Sequence, residues 1–192
     1  MNFHRLIDRT RDAQFQRDLA VWATLVAFGV IARWLQPMWQ VTPTAAIGLF
    51  AGYYFANMRW AIAAPIAVIA LSHPLLPPYA SSSVMAVVLL AFVVPALLGR
   101  MLGRELTAKR FCLATLLPSL FFYVATNLAV WAFLDYYTHD AAGLASCYLH
   151  AVPFYRWMLY GDLFYVAAIF GSYAVAVRYQ WLPQRVHATA KA

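Results

Sequence analysis

Cys147-Tyr-Leu-His-Ala-Val-Pro-Phe-Tyr-Arg-Trp-Met-Leu-Tyr-Gly-Asp-Leu-Phe-Tyr165 is the stretch that decides how this chain folds. It leads into an apolar run that continues to Val177, enough for a membrane helix, which needs about 20 mostly apolar residues. Inside the run stand Arg156 and Asp162. A charge at the centre of a bilayer costs from about 2.5 to above 10 kcal/mol, so such a residue has a partner, a polar cavity or a function. A separation of six positions amounts to about 600° of helical rotation, which places the two on roughly opposite sides. Each must find its partner elsewhere. Asp162 is expected to face inward, bonded to Asn127 or to a backbone group freed at a kink, and Arg156, nearer the outside, to bind ligand or act on the outer loops. The competing reading makes Asp162 a structural clamp on a neighbouring helix.

Composition points the same way. Of 192 residues, 64% are hydrophobic and 11% charged, with a mean hydropathy of +0.65. A soluble domain of this size has no interior large enough to hide that much apolar surface. The chain reads as an all-α integral membrane protein. Its formal charge of +7 then speaks to topology and not to nucleic acid.

Residues 1–18 are polar, with Arg5, Arg9, Arg11 and Arg17 against Asp8, Asp12 and Asp18. No apolar core precedes Leu19 and no small-residue cleavage site follows the first span, so a retained signal anchor is expected, led by a short amphipathic helix on the membrane surface. Six apolar runs follow within 19–180: Leu19 to Leu35, Thr44 to Ala56, Trp60 to Leu75, Val84 to Leu102, Phe111 to Leu134 and Val152 to Val177. Pro65, Pro95 and Pro118 fall inside runs and should kink them. Pro153 should open the sixth span, where its missing N–H costs nothing. Residues 181–192 form a tail.

Twelve of the fourteen Lys and Arg fall on one side of this layout, leaving only Arg33 and Arg156 on the other. The positive-inside rule then makes both termini cytoplasmic and the protein a six-span bundle of the bacterial inner membrane. Three outer connections result: Gln36 to Pro43, Pro74 to Ser83, and Asp135 to Ala151. They concentrate polar and aromatic groups, among them Trp39, Gln40, Thr42, Tyr79, Ser81, Tyr136 and Tyr148, with Ala80 between Tyr79 and Ser81, which suits a pocket opening outward. His73, at the outer end of the third span, is positioned to ligate a metal carried within a bound cofactor. Cys112 and Cys147 lie at opposite ends of the layout and cannot pair. There is no CxxC, no His pair at helical spacing and no phosphate-cradling glycine loop, and Ser119, Thr126 and Ser172 lack a histidine base. Hydrolase and ATPase chemistry are excluded on these grounds, and no intrinsic cofactor is expected. Asn127 is the other polar residue deep in a span, as glue between helices or as pocket lining.

The layout resembles the membrane-embedded substrate-binding subunits, or S components, of energy-coupling-factor vitamin transporters. Pro153-Phe154 followed by Gly161-Asp162-Leu163 is similar to a pattern at the start of their last helix, although six residues separate Phe154 from Gly161 here where those proteins have about two. Ala23 and Ala27 match the Ala-x-x-x-Ala patch that docks S components onto a shared coupling subunit; small residues one turn apart let helices approach closely. Thr42-Pro43, Thr126-Asn127, Pro153-Phe154 and Gly161-Asp162 together also resemble a family of small, uncharacterised bacterial membrane proteins related to S components. The resemblance implies uptake of a vitamin or cofactor-like molecule from the outer side, energised by a coupling subunit and ATPases or carried out alone. The small cobalamin-specific type fits the size best. Such a protein would place a cobalt ligand near Pro77-Pro78-Tyr79-Ala80, where this chain has alanine, leaving His73 as the nearest substitute. The alternative from another class is a structural or assembly membrane protein that transports nothing.

Overall fold

The computed structural model describes residues 3–36, 40–102 and 107–183, and among these it is entirely helical. Seven α-helices follow one another: α1 (Phe3–Trp34), α2 (Thr44–Tyr54), α3 (Met58–Ser72), α4 (Ser82–Ala91), α5 (Val93–Met101), α6 (Ala108–Phe133) and α7 (Ala141–Arg178). A single 3-10 turn, His73–Leu75, extends α3. Local chemistry sets the starts. Asn57, Ser81, Thr107 and Asp140 each accept a backbone N–H two or three residues on, satisfying donors that a helix N-terminus leaves free.

Five stretches are long and apolar enough to cross a membrane: Asp12–Trp34, Met58–Leu75, Ser82–Met101, Lys109–Phe133 and Ala141–Arg178. Their apolar residues point outward, reversing the rule for soluble helices. On α6, Leu113, Leu116, Leu117, Leu120, Phe121, Val124 and Leu128 form an exposed stripe at helical spacing, a surface that lipid covers. The chain is therefore a multi-pass membrane protein.

The second apolar run is not a full-length span. Helix α2 has only 11 residues, about 16 Å. It is wrapped on every side, with Thr44 and every residue from Ala46 to Tyr54 buried. Helices α3, α5 and α7 enclose it. Both its flanks are engaged: Gln40 and Thr42 line a pocket at one end, and the Phe55 and Ala56 carbonyls accept from Arg100 at the other. Arg17 on α1 and Pro183 beyond α7 line one small cleft.

Other expectations shift too. The fourth run is two helices meeting at Phe92, three residues before Pro95, whose ring cannot continue a regular ladder. Pro65 and Pro118 lie inside helices as expected. Residues 3–18 are continuous with the first span in α1, not a separate surface helix. Helix α7 begins at Ala141, so most of the expected Asp135–Ala151 loop is helical and Pro153 lies 12 residues inside the helix, not at its entrance. The Asp140 cap, with its carboxylate 2.7 Å from the Gly143 N–H, starts the helix earlier than hydropathy alone indicated.

Candidate functional site

Helices α4, α6 and α7, with described residues of the connections after α1 and α3, line a cavity. The cavity they enclose has a volume of ≈ 500 Å³. Its mouth is formed by Gln36, Gln40, His73, the Pro77–Ala80 segment, Tyr137 and His150. Phe92, Phe122, Tyr123 and Tyr155 make the walls, and Pro95, Pro118, Ser119, Met158 and Asp162 the floor. From His150 to Asp162 along α7 is 12 residues, roughly 18 Å of depth.

At the floor, Asp162 is 4% exposed. Ser119, 43 residues earlier, donates to its Oδ2 at 2.6 Å. The same hydroxyl also lies 3.2 Å from the Thr115 carbonyl one turn back. A serine has one hydrogen to give, and the shorter, charge-assisted contact takes it. The expected partner Asn127 is elsewhere: its Nδ2 bonds the Tyr123 carbonyl of its own helix at 2.8 Å while the residue lines the pocket. Its backbone oxygen accepts the Cys147 thiol at 3.4 Å, fastening α7 to α6.

Below the floor, toward the basic end, the bundle is closed. Val166 follows Asp162 by one turn, and beyond it Phe50, Tyr53, Phe170 and Tyr173 pack with ring centroids 5.3 to 6.5 Å apart. Phe111 joins edge-on against Phe170. Offset and edge-to-face aromatic packing of this kind makes a dense, dry seal.

At the mouth, Arg33 donates from Nε to Ser72 Oγ at 2.8 Å, and Trp34 donates to the Ser72 carbonyl. These bonds tie the end of α1 to the end of α3 and turn a guanidinium toward the cavity. His73 stacks on Tyr79, with centroids 5.4 Å apart and planes 30° from parallel. Gln40 adopts φ 73°, an uncommon left-handed conformation for a residue with a side chain, at the point where the chain turns down toward α2.

Of the residues singled out from sequence, Thr42, His73, Tyr79, Ala80, Asn127 and Asp162 line the cavity. Ser81 caps α4 through Val84 N at 3.1 Å. Tyr136 is exposed, and Tyr148 donates to the Val124 carbonyl at 2.8 Å, outside the lining. Arg156 is exposed on the face of α7 turned away from the cavity, beside the exposed Trp157 and Tyr160. Trp39 lies outside the described residues. Ala23 and Ala27 lie on the exposed face of α1. Gln40, one of the polar residues of the first outer connection, lines the cavity as well, whereas sequence reasoning did not assign Arg33, Tyr123, Tyr155 or Ser119 to the site. For Ser119 a signal was present: Ala114, Thr115, Pro118 and Ser119 form a run of small buried residues on one face of α6, where another helix can come close.

The fold and cavity define a helical membrane protein with a deep pocket at one end and an aromatic seal beneath it. The chain belongs to a family of unknown function, DUF6580, which it matches over residues 13–185. Neither a curated protein nor a solved structure matches it.

Proposed function

We propose that this protein binds a vitamin or cofactor-like small molecule in the pocket from the outer side of a bacterial inner membrane and passes it inward, without chemistry on the ligand. One observation carries the reading: a cavity of ligand size that ends on a buried carboxyl and stands over a closed aromatic seal. Pockets of about 300–1,000 Å³ with a few convergent polar groups are the usual form of small-molecule sites. The basic residues Arg59, Arg100, Lys109, Arg110 and Arg178 gather at the other end, so the positive-inside rule turns the pocket outward and both termini toward the cytoplasm. The alternative, a structural or assembly protein, would favour tightly packed outer loops with no cavity.

The specific ligand we propose from the sequence resemblance is cobalamin or a related corrinoid, held at the mouth with His73 on the metal. The geometry supporting it is the His73–Tyr79 stack at the rim. Cavity volume favours a second form, a smaller organic vitamin seated wholly inside. Native mass spectrometry and an absorbance spectrum of the detergent-purified protein separate the two. A corrinoid gives a coloured adduct whose spectrum changes in His73→Ala. A smaller vitamin gives a colourless adduct of a few hundred daltons. Failure of every vitamin offered to bind would remove the proposal. Energised uptake would engage a coupling subunit and ATPases through Ala23 and Ala27 on the outer face of α1.

A further inference from the structure

The floor of the pocket carries an unspent acceptor. Asp162 receives the Ser119 hydroxyl on Oδ2, but its Oδ1 takes no hydrogen bond among the described residues, and the side chain lines the cavity. Nor does any described lysine, arginine or histidine pair with it. Arg33 is engaged with Ser72 at the mouth, and Arg156 is exposed on the opposite face of α7. A carboxyl 4% exposed at mid-depth of a bundle is costly to ionise unless a positive charge reaches it. The described residues supply none there. The opening to that charge is the cavity itself.

The walls favour the same sign. Phe92, Phe122, Tyr123 and Tyr155 enclose the space between mouth and floor, and aromatic faces attract cations and repel anions. Tyr123 commits its hydroxyl to the Tyr148 carbonyl at 2.7 Å, which leaves its ring as the recognition surface. We infer that the pocket takes a molecule bearing a positively charged nitrogen, an ammonium or a protonated nitrogen heterocycle on a largely apolar body, seated with that nitrogen on Asp162 Oδ1. The inference rests on the pocket being a ligand site and belongs to the smaller-vitamin form.

Three fragments of one shape test it: benzylammonium, benzyl alcohol and benzoate, each far smaller than the cavity, so that size decides nothing. Their binding to the detergent-purified full chain is measured by saturation-transfer NMR competition and thermal shift. Benzylammonium should bind about tenfold or more tighter than benzyl alcohol, the scale of one charge-assisted hydrogen bond, and benzoate weakest. Asp162→Asn should erase the preference while leaving benzyl alcohol binding in place. Equal binding of the three, or a preference that persists in Asp162→Asn, overturns the inference and spares the ligand pocket. No binding by any of them overturns the pocket reading as well. The wild-type comparison stands even if the variant does not fold.

Discussion

Ser119 on α6 and Asp162 on α7 meet through a hydrogen bond of 2.6 Å at the bottom of the cavity, both sealed from the surface. It joins the two helices that contribute more to the pocket lining than any others, so floor geometry and helix packing both depend on this contact. Removing one member of a buried polar pair leaves the other unsatisfied, at a cost of about 1–3 kcal/mol. Ser119→Ala should therefore lower the thermal midpoint in detergent. Asp162→Ala should lower it as well, by removing the acceptor and leaving a void. Asn at 162, which keeps an acceptor, should be milder than Ala. Ser119→Ala with an unchanged midpoint would show that the contact is incidental to the fold.

A second pairing governs the interior. Helix α2 crosses α5 so closely that a Cβ on Gly52 would run into the Ala96 backbone, and one on Gly99 into the Leu49 carbonyl. Backbone cannot yield as a flexible side chain can. Gly52→Ala and Gly99→Ala should each prevent recovery of monodisperse protein. Gly171→Ala, which meets nothing within 4 Å, should behave as wild type. Normal size-exclusion profiles for both Gly52→Ala and Gly99→Ala would rule out the close crossing.

Much of this fold was legible in the chain because lipid enforces simple rules. Long apolar runs must be helices, and Lys and Arg must collect at one end. Hydropathy could not show that α2 is enclosed by protein, since an apolar residue reads alike against lipid or against Pro95. Nor could it place the start of α7, which Asp140 fixes through a side-chain cap in a polar stretch. The candidate site was half legible. Asp162 stood out as a charge in an apolar run, whereas the small-residue run around Ser119 marked a close helix approach without naming the serine's partner. Arg156 stood out for the same reason as Asp162, yet it lies on the exposed face, where a long side chain can carry its charge toward the interface.

The α7 cap also predicts a response to acid. The Gly143 N–H, together with the Thr138 hydroxyl, holds the Asp140 carboxyl below its usual range. A group whose folded pKa is depressed contributes stability above its unfolded value, and the contribution disappears as pH falls through the folded value. The first turn of α7 should therefore loosen below about pH 4, the ordinary aspartate value. Hydrogen exchange at residues 141–146, corrected for intrinsic rates, should show protection at pH 5 that is weaker at pH 3. In Asp140→Asn the change between those pH values should vanish. A pH response retained in that variant would assign it to another group.

Topology can be checked directly in intact cells. With both native cysteines replaced, since Cys112 is exposed and Cys147 buried, single cysteines go in at Ser82, near the pocket mouth, and at Thr107, the cap of α6 at the basic end. A membrane-impermeant maleimide should label the first and spare the second. The reverse pattern would turn the pocket toward the cytoplasm and end the uptake proposal.

The docking proposal makes a demand on α1 that separates partner-dependent from solitary uptake. Trp22, Leu25, Val26, Gly29 and Val30 face the protein, and a Cβ on Gly29 would press into Val68 and Ile47. Ala23 and Ala27 occupy the other face, where added bulk meets no neighbour inside the bundle. Leucine at both positions should leave the thermal midpoint and benzylammonium binding unchanged. A partner helix that needs small residues for close approach would be held off. Cells expressing Ala23→Leu/Ala27→Leu should then lose accumulation of whichever vitamin the purified protein is found to bind, with pocket affinity intact. Accumulation at the wild-type rate would mean that this face is lipid-facing only and that any uptake proceeds without a helix docked there.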